Sequence, residues 1–195
     1  MKASRIAFWG VAGILTVGGA AFVATSRAGY ETAKYKVVKT DGNFEIRDYE
    51  AHTVVSTPMK GDEQNGSFGR LFQYISGKNE GGRKIEMTTP VFMPAAEDGE
   101  AGEMQFVVPS KVAEAGAPVP ADPSVKLGKM GGGTYAVLRY RGLARAEDRR
   151  VKLAELKTKL AELGLVARGN PIYAGYDPPW TPGPMRRNEV MIRVK

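Results

Sequence analysis

Apolar positions alternate with polar ones through much of the chain, and two runs with helical spacing interrupt the alternation. Residues 34–40 (KYKVVKT) alternate and end at Asp41-Gly42, a turn signal. Residues 44–49 (FEIRDY) put Phe44, Ile46 and Asp48 on one face and Glu45, Arg47 and Tyr49 on the other. Residues 52–59 (HTVVSTPM) are rich in β-branched side chains and predict a third strand. Phe68, Leu71, Phe72 and Ile75 then fall at i, i+3, i+4 and i+7, which predicts a helix over 67–76 with Ser67 as N-cap and Gly77 ending it. Strands follow at 84–93, interrupted by Pro90, and at 104–109, before an Ala/Pro-rich, irregular connection over 113–123. The second half predicts strands at 125–130 and 134–141. A helix over 146–163 carries the stripe Leu153, Leu156, Leu160 and Leu163, and strands follow at 171–176 and 189–194. The order is β-helix-β-β, twice. It predicts an α+β fold: a distorted antiparallel β-barrel of two similar halves, with two flanking helices.

Two stretches stand outside this pattern. In residues 1–29, Lys2 and Arg5 precede an uncharged run from Ile6 to Thr25, and Arg27 follows it. A run of about 20 residues is long enough to span a bilayer and longer than the core of an ordinary signal peptide. The expectation is a single-pass inner-membrane anchor over 1–29, with a domain over 30–195 in the periplasm; a cleaved signal is the alternative. The other stretch is residues 175–190 (GYDPPWTPGPMRRNEV). Pro178, Pro179, Pro182 and Pro184 each fix φ and remove a donor, which predicts a stiff, extended loop. The loop carries Trp180, Met185, Arg186 and Arg187, an apolar plate beside two positive charges, which suits a flat, apolar, anionic ligand. A loop that caps the core, with solvated arginines, is the other reading of the same residues.

The formal net charge is +7, and it resides in residues 139–195, which carry 13 Lys/Arg against 6 Asp/Glu. A basic surface of this kind meets anionic lipid, an anionic small molecule or solvent; no zinc finger, aromatic RNP pattern or helix-turn-helix points to nucleic acid. With no Cys, disulfides, thiolate catalysis and Cys-based zinc sites are excluded. His52 is the only histidine, so two-His metal sites are excluded too, and there is no GxSxG or Walker A motif. Gly131-Gly132-Gly133 is not followed by a helix and reads as a bulge or loose loop. His52 itself is either a haem-iron ligand or a hydrogen-bonded strand residue. Acid-base chemistry would need Glu86 or Glu189 in a pocket.

Four segments together resemble the SOUL haem-binding protein family: FEIRDY at 44–49, YISGKNEGGRKIEMTTPV at 74–91, APVPADPSV at 117–125, and the proline-rich stretch at 175–190. The resemblance covers the chain from Tyr35 to its last residue. It implies a two-fold distorted barrel and a non-enzymatic module that binds haem and other tetrapyrroles. It further implies an apolar groove between the first helix and the proline-rich loop. Carried onto this sequence, the groove would use Phe68, Leu71 and Phe72 with Trp180 and Met185, and Arg70, Arg186 and Arg187 would meet the propionates. Arginine's planar fork suits a carboxylate. Where some relatives carry a proposed axial His, this chain has Asp48, a poor haem ligand. His52, four residues on, is the remaining metal candidate, so the expectation is haem binding with weak or no axial ligation. The expected role is buffering or carrying haem in the cell envelope. The alternatives are a hydrolase-like enzyme on the same barrel and an envelope interaction protein.

Overall fold

Eleven strands, three α-helices and two 3₁₀ turns make up the described part of the chain, in a computed structural model that describes residues 29–59, 64–96, 99, 102–178 and 180–195. In chain order the strands are β1 (Glu31–Thr32), β2 (Tyr35–Asp41), β3 (Phe44–Tyr49), β4 (His52–Pro58), β5 (Thr88–Thr89), β6 (Val91–Pro94), β7 (Glu103–Val107), β8 (Lys126–Met130), β9 (Gly133–Arg141), β10 (Ala167–Gly175) and β11 (Arg187–Val194). The helices are α1 (Gln64–Ile75), α2 (Ser110–Glu114) and α3 (Ala146–Glu162).

Nine strands form one antiparallel sheet in the order β2-β3-β9-β11-β10-β6-β7-β4-β8, and β1 pairs with β5 in parallel beside it. Apart from β2, the order is palindromic about the β10–β6 seam. Each half contributes strand-helix-strand-strand, β4-α1-β6-β7 or β9-α3-β10-β11, and the strand preceding each unit pairs with the other half: β3 with β9, β8 with β4. This is the α+β arrangement of two similar halves that the element order predicts. The ladder does not close into a barrel, since β2 and β8 stay unpaired with each other among the described residues. It curls nonetheless, because two residues join β3 to β4 and two join β8 to β9, strands far apart in the sheet order. These two links cross. A Cβ on Gly132 would lie 2.8 Å from the Tyr49 carbonyl oxygen and 3.0 Å from the Ala51 nitrogen, and one on Gly133 2.7 Å from the Arg193 guanidinium. Gly132 is therefore the place where the backbones of the two links pass at contact distance, which requires a residue without a side chain.

Both faces of the sheet are buried. The outer face carries Phe44, Ile46, Phe106, Leu138, Tyr173, Val190 and Ile192, and packs under Leu71 and Tyr74 of α1 and Leu156 and Leu160 of α3. The inner face carries Tyr49, Val54, Phe92, Val107, Tyr135, Val137, Tyr176 and Met191. In α3 the predicted stripe is buried at Leu156 and Leu160 and partly at Leu153, whereas Leu163, just past the helix end, is exposed. Fully burying a leucine stabilises by about 1.5–3 kcal/mol, so the two deepest residues hold this helix down. Other expectations need correction. Ser67 lies inside α1, and its hydroxyl donates to the Pro58 carbonyl at 3.1 Å. The strand expected over 84–93 is two short strands on either side of Pro90, which lacks a donor for the ladder. The connection expected to be irregular is preceded by α2 and is pinned by an Asn79–Pro120 bridge.

The anchor is also corrected. Residues 1–28 lie outside the described residues, and among those described no helix is long and apolar enough to cross a membrane. The longest, α3, has 17 residues with charged side chains along its length, against the ~20 apolar residues that a span needs. A single-pass N-terminal anchor holding the domain in the periplasm is thus without structural support.

The inner face holds a charge cluster that sequence alternation alone would put in solvent. Arg47 is fully buried. Its Nη1 and Nη2 donate to Glu189 Oε2 and Oε1 at 2.8 and 2.9 Å, its Nε to Glu45 Oε2 at 2.6 Å, and Nη1 also to the Tyr49 hydroxyl at 3.0 Å. Glu189, equally buried, also accepts from the Tyr176 hydroxyl (2.9 Å) and from Arg187 Nη2 (2.6 Å). Burial by itself would raise the Glu189 pKa, but Arg47, then Arg187, outweigh it and hold the carboxylate below its ordinary range. Burial likewise opposes the Arg47 charge, and Glu189 overcomes it. Burial pushes the Tyr49 hydroxyl up to about 12.

Two predictions follow from this cluster. Glu189→Gln leaves a buried guanidinium without its bidentate partner and should lower unfolding free energy by roughly 3–5 kcal/mol in urea titrations; a loss within ~0.5 kcal/mol, typical of a surface change, would show the pair to be unimportant. A carboxylate whose pKa is depressed by folding stabilises above its unfolded value, about 4.3, and that contribution disappears as pH falls through the folded value. Stability of the wild type should therefore decline below about pH 4.3, and Glu189→Gln should flatten that decline.

Candidate functional site

The proline-rich loop is less extended than its four prolines suggest. Thr181 N–H donates to the Pro178 carbonyl at 3.0 Å, and a 3₁₀ turn over Gly183–Met185 folds the second part back. The Arg187 backbone N–H closes the loop on Asp177 Oδ2 at 2.6 Å, and Arg186 Nε donates to the Thr181 carbonyl at 2.8 Å. Gly183 packs on Leu143, where a Cβ would come within 3.0 Å of a leucine methyl carbon. Thr181 is buried as a result, and Trp180 is thrust outward with 73% of its surface exposed.

Helix α1 faces this loop with one flank. Its buried side is Ser67, Leu71, Tyr74 and Ile75; Phe68 and Phe72 sit beside that face, four residues apart, with rings stacked at 6.0 Å and 15°. Phe68 also meets Phe106 edge-on at 5.2 Å, which fixes the pair to the sheet. Between the helix flank and the loop lies a groove of about 340 Å³. Phe68, Gly69, Phe72 and Trp180 line it together with Tyr30, Met87, Thr89, Val91 and residues 175–178. The volume lies in the lower part of the range for small-molecule pockets, ~300–1,000 Å³. Phe72 is 49% exposed, so the groove is open and one edge of a flat molecule can enter while the rest remains outside.

Of the residues expected at a ligand, Phe68, Phe72 and Trp180 come together here. Leu71 belongs to the core with no exposed surface, because the helix turns it toward the sheet. Met185 sits on the 3₁₀ turn, outside the lining. Arg70 follows Gly69 on α1 but is directed to the end of β4, where Nε donates to Thr57 Oγ1 at 3.0 Å and Nη2 to the Pro58 carbonyl at 2.8 Å. Arg187 stands over the Tyr176 ring at 4.1 Å and is bound to Glu189, so the groove wall and the buried charge cluster are joined through Tyr176. Burial, then the Glu189 charge, pushes the Tyr176 hydroxyl well above its ordinary pKa and keeps it a neutral donor. His52 lies on β4 outside the groove lining, with Nε2 3.2 Å from the Lys34 carbonyl oxygen.

Tyr30, Gly69, Thr89, Val91 and Tyr176 were not legible as lining residues. Tyr30 and Thr89 arrive through the β1–β5 pairing, in which Thr32 lies opposite Thr89, and Tyr176 through the β10–β11 hairpin. The β1–β5 pairing joins segments far apart in the chain and leaves no local sequence signal.

Several solved structures share the fold. EcmrR in a complex with DNA superposes with a TM-score of 0.61 at 12% identity, covering 78% of this chain; the chain spans 57% of that one, a little over half its length. A hydrolase from Listeria innocua superposes with a TM-score of 0.52 at 11% identity, covering 81% of this chain and 94% of that one. Likenesses at such identity concern the fold alone. In sequence, the chain is 32% identical over 132 residues to heme-binding protein 1 of Sus scrofa, covering 63% of this chain and 67% of the relative. It is 29% identical over 156 residues to heme-binding protein 1 of Xenopus tropicalis, covering 75% and 81%. Residues 30–193 match the family described as SOUL heme-binding protein, and with that match over nearly the whole described fold the chain belongs to the SOUL haem-binding protein family.

Proposed function

We propose that this chain binds haem, or a related tetrapyrrole, in the groove between α1 and the proline-rich loop, and that it buffers or carries the ligand without strong axial ligation. Haem is the ligand of the family to which the chain belongs. The observation that carries the placement is the groove itself, lined by two stacked phenylalanines, an outward tryptophan, Met87, Thr89 and Val91. Flat apolar walls of this kind fit a macrocycle and release water from both its faces. Haem, when bound, supplies a redox-active iron; the chain's own residues supply the apolar walls and the mouth. Arg70, Arg186 and Arg187 remain the proposed partners of the propionates. Of these, Arg187 touches a lining residue, with its guanidinium over the Tyr176 ring.

Weak axial ligation is supported by the lining, which contains no His among the described residues and offers the iron only the thioether of Met87 and the phenol of Tyr30, the Tyr176 hydroxyl being bonded to Glu189. His52 keeps its proposed place as the only imidazole available for the iron, but a hydrogen-bonding distance to the Lys34 carbonyl already occupies Nε2. A binding role rather than a hydrolytic one is supported by where the two candidate carboxylates lie. Glu86 is exposed, and Glu189 is bonded by two arginines and a tyrosine; neither lines the groove.

Absorbance titration of the purified protein with haemin and with iron-free protoporphyrin tests the reading. Both should bind saturably, with similar affinity if iron ligation contributes little. Trp180→Ala and Phe72→Ala should each weaken binding by about tenfold, the effect of a truncated aromatic anchor, and His52→Ala should leave it unchanged. Absence of binding by either porphyrin at micromolar concentration would refute the proposal, and loss of haemin binding alone in His52→Ala would refute the ligand-free part.

A further inference from the structure

A second cleft, of about 560 Å³, opens at the far end of the β10–β11 hairpin from the groove. The groove reaches Gly175 and Tyr176, where β10 ends; the cleft is lined by Arg168 and Gly169, where β10 begins, and by Arg193 and Lys195 at the end of β11. Thr134 of β9 completes it. Arg168 and Arg193 are register partners on adjacent antiparallel strands, so their Cα atoms are directly opposite. Cross-strand partners of like charge repel and destabilise a sheet unless an opposite charge lies between them. Two other arginines of this sheet are matched by carboxylates: Arg47 with Glu189 and Glu45, Arg187 with Glu189. At this end the matching is missing. None of Arg168, Arg193 and Lys195 makes an ion pair among the described residues.

One of the two arginines is also held in place. Arg193 Nη2 donates to the Gly132 carbonyl at 2.9 Å, and its guanidinium runs across Gly133 so closely that a Cβ there would collide with it. That anchors one side of the planar fork; Arg168, exposed and on the facing strand, has no such tether. The nearest carboxylate in register is Asp48, which lies opposite Thr134 and accepts its hydroxyl at 2.6 Å. That bond engages one carboxylate oxygen of Asp48, and no ion pair joins Asp48 to either arginine among the described residues.

We propose that this cleft is an anion site, separate from the porphyrin groove, that takes a multiply charged phosphate group between Arg168 and Arg193 with Lys195 at its edge. The opposed arginines can share one phosphate through charge-assisted hydrogen bonds, and the anion removes the repulsion across the hairpin. A free polyphosphate and a lipid phosphate headgroup present the same chemistry, and the size of the cleft admits either.

The test is isothermal titration of the whole protein with inorganic pyrophosphate, alongside sedimentation with vesicles of phosphatidylcholine containing phosphatidic acid. Pyrophosphate should bind at low salt, weaken as NaCl is raised to 0.5 M, and lose about tenfold in affinity in Arg168→Gln. Arg168 is exposed and its side chain makes no hydrogen bond or ion pair among the described residues, so that variant is expected to keep its stability; Arg193→Gln is the second variant. Co-sedimentation abolished by Arg168→Gln assigns the lipid source, and binding of pyrophosphate alone assigns the free one. Haemin titration is unchanged in both variants if the two sites are separate. Failure of both probes to bind, or binding that Arg168→Gln and Arg193→Gln leave intact, overturns the proposal.

Discussion

The bidentate bond between Arg47 and Glu189 is the constraint on which the rest of this structure depends. It joins β3 in the first half of the chain to β11 in the second, across 142 residues. Strand register puts Arg47 opposite Tyr135 on β9, and Tyr135 opposite Arg193 on β11; Glu189 is four residues further along. On a flat sheet, with strands ~4.8 Å apart and a rise of ~3.4 Å per residue, the two Cα atoms would stand roughly 17 Å apart, beyond the reach of the side chains. The bond therefore requires the curl that the two short inter-strand links impose. Its desolvation cost is offset because nearly every donor and acceptor is used: Glu45 and Tyr49 complete Arg47, while Tyr176 and Arg187 complete Glu189. Such clusters cost a fold heavily when one member is lost, yet specify which strands belong together.

The groove stands on that cluster. Tyr176 has its hydroxyl on Glu189 and its ring beneath Arg187, while its other side forms a wall of the groove. The loop that carries Trp180 leaves the sheet at Tyr176 and returns at Arg187, and the Asp177 bond to the Arg187 backbone sets its mouth. One end of the hairpin is thus fixed by buried charge and ends in an apolar groove. The other end carries arginines with no buried partner. Rigid strands between them hold the two ends apart, so each can present a different chemistry.

The fold has a doubled architecture. Its two halves exchange a strand, β3 for β8, and the crossing of the links at Gly132 and Gly133 leaves no room for side chains. What reads as a loose glycine run holds, at Gly132, a backbone contact between the two links that a Cβ would disrupt. Where the second half places helix α3 over the outer face, the first places α1, and only α1 turns an aromatic flank outward toward a loop.

Periodicity by itself determined most elements: the alternation in FEIRDY, the leucine stripe of α3, the helix containing Phe68 and Phe72, and the doubled element order all survive in the fold. They are local, set by the 2.0 and 3.6 residue repeats that bring side chains to one face. The four segments that resemble the family also stood in the sequence, and with them the ligand class. Only the tertiary structure decided which face of β3 is inside, because in a curled sheet covered by helices both faces are buried and a charged face can be the inner one. It also decided that Leu71 serves the core and Phe72 the groove, although the two are adjacent. And it brought Tyr30 and Thr89 to the site through the β1–β5 pairing between distant residues, which no repeat along the chain encodes.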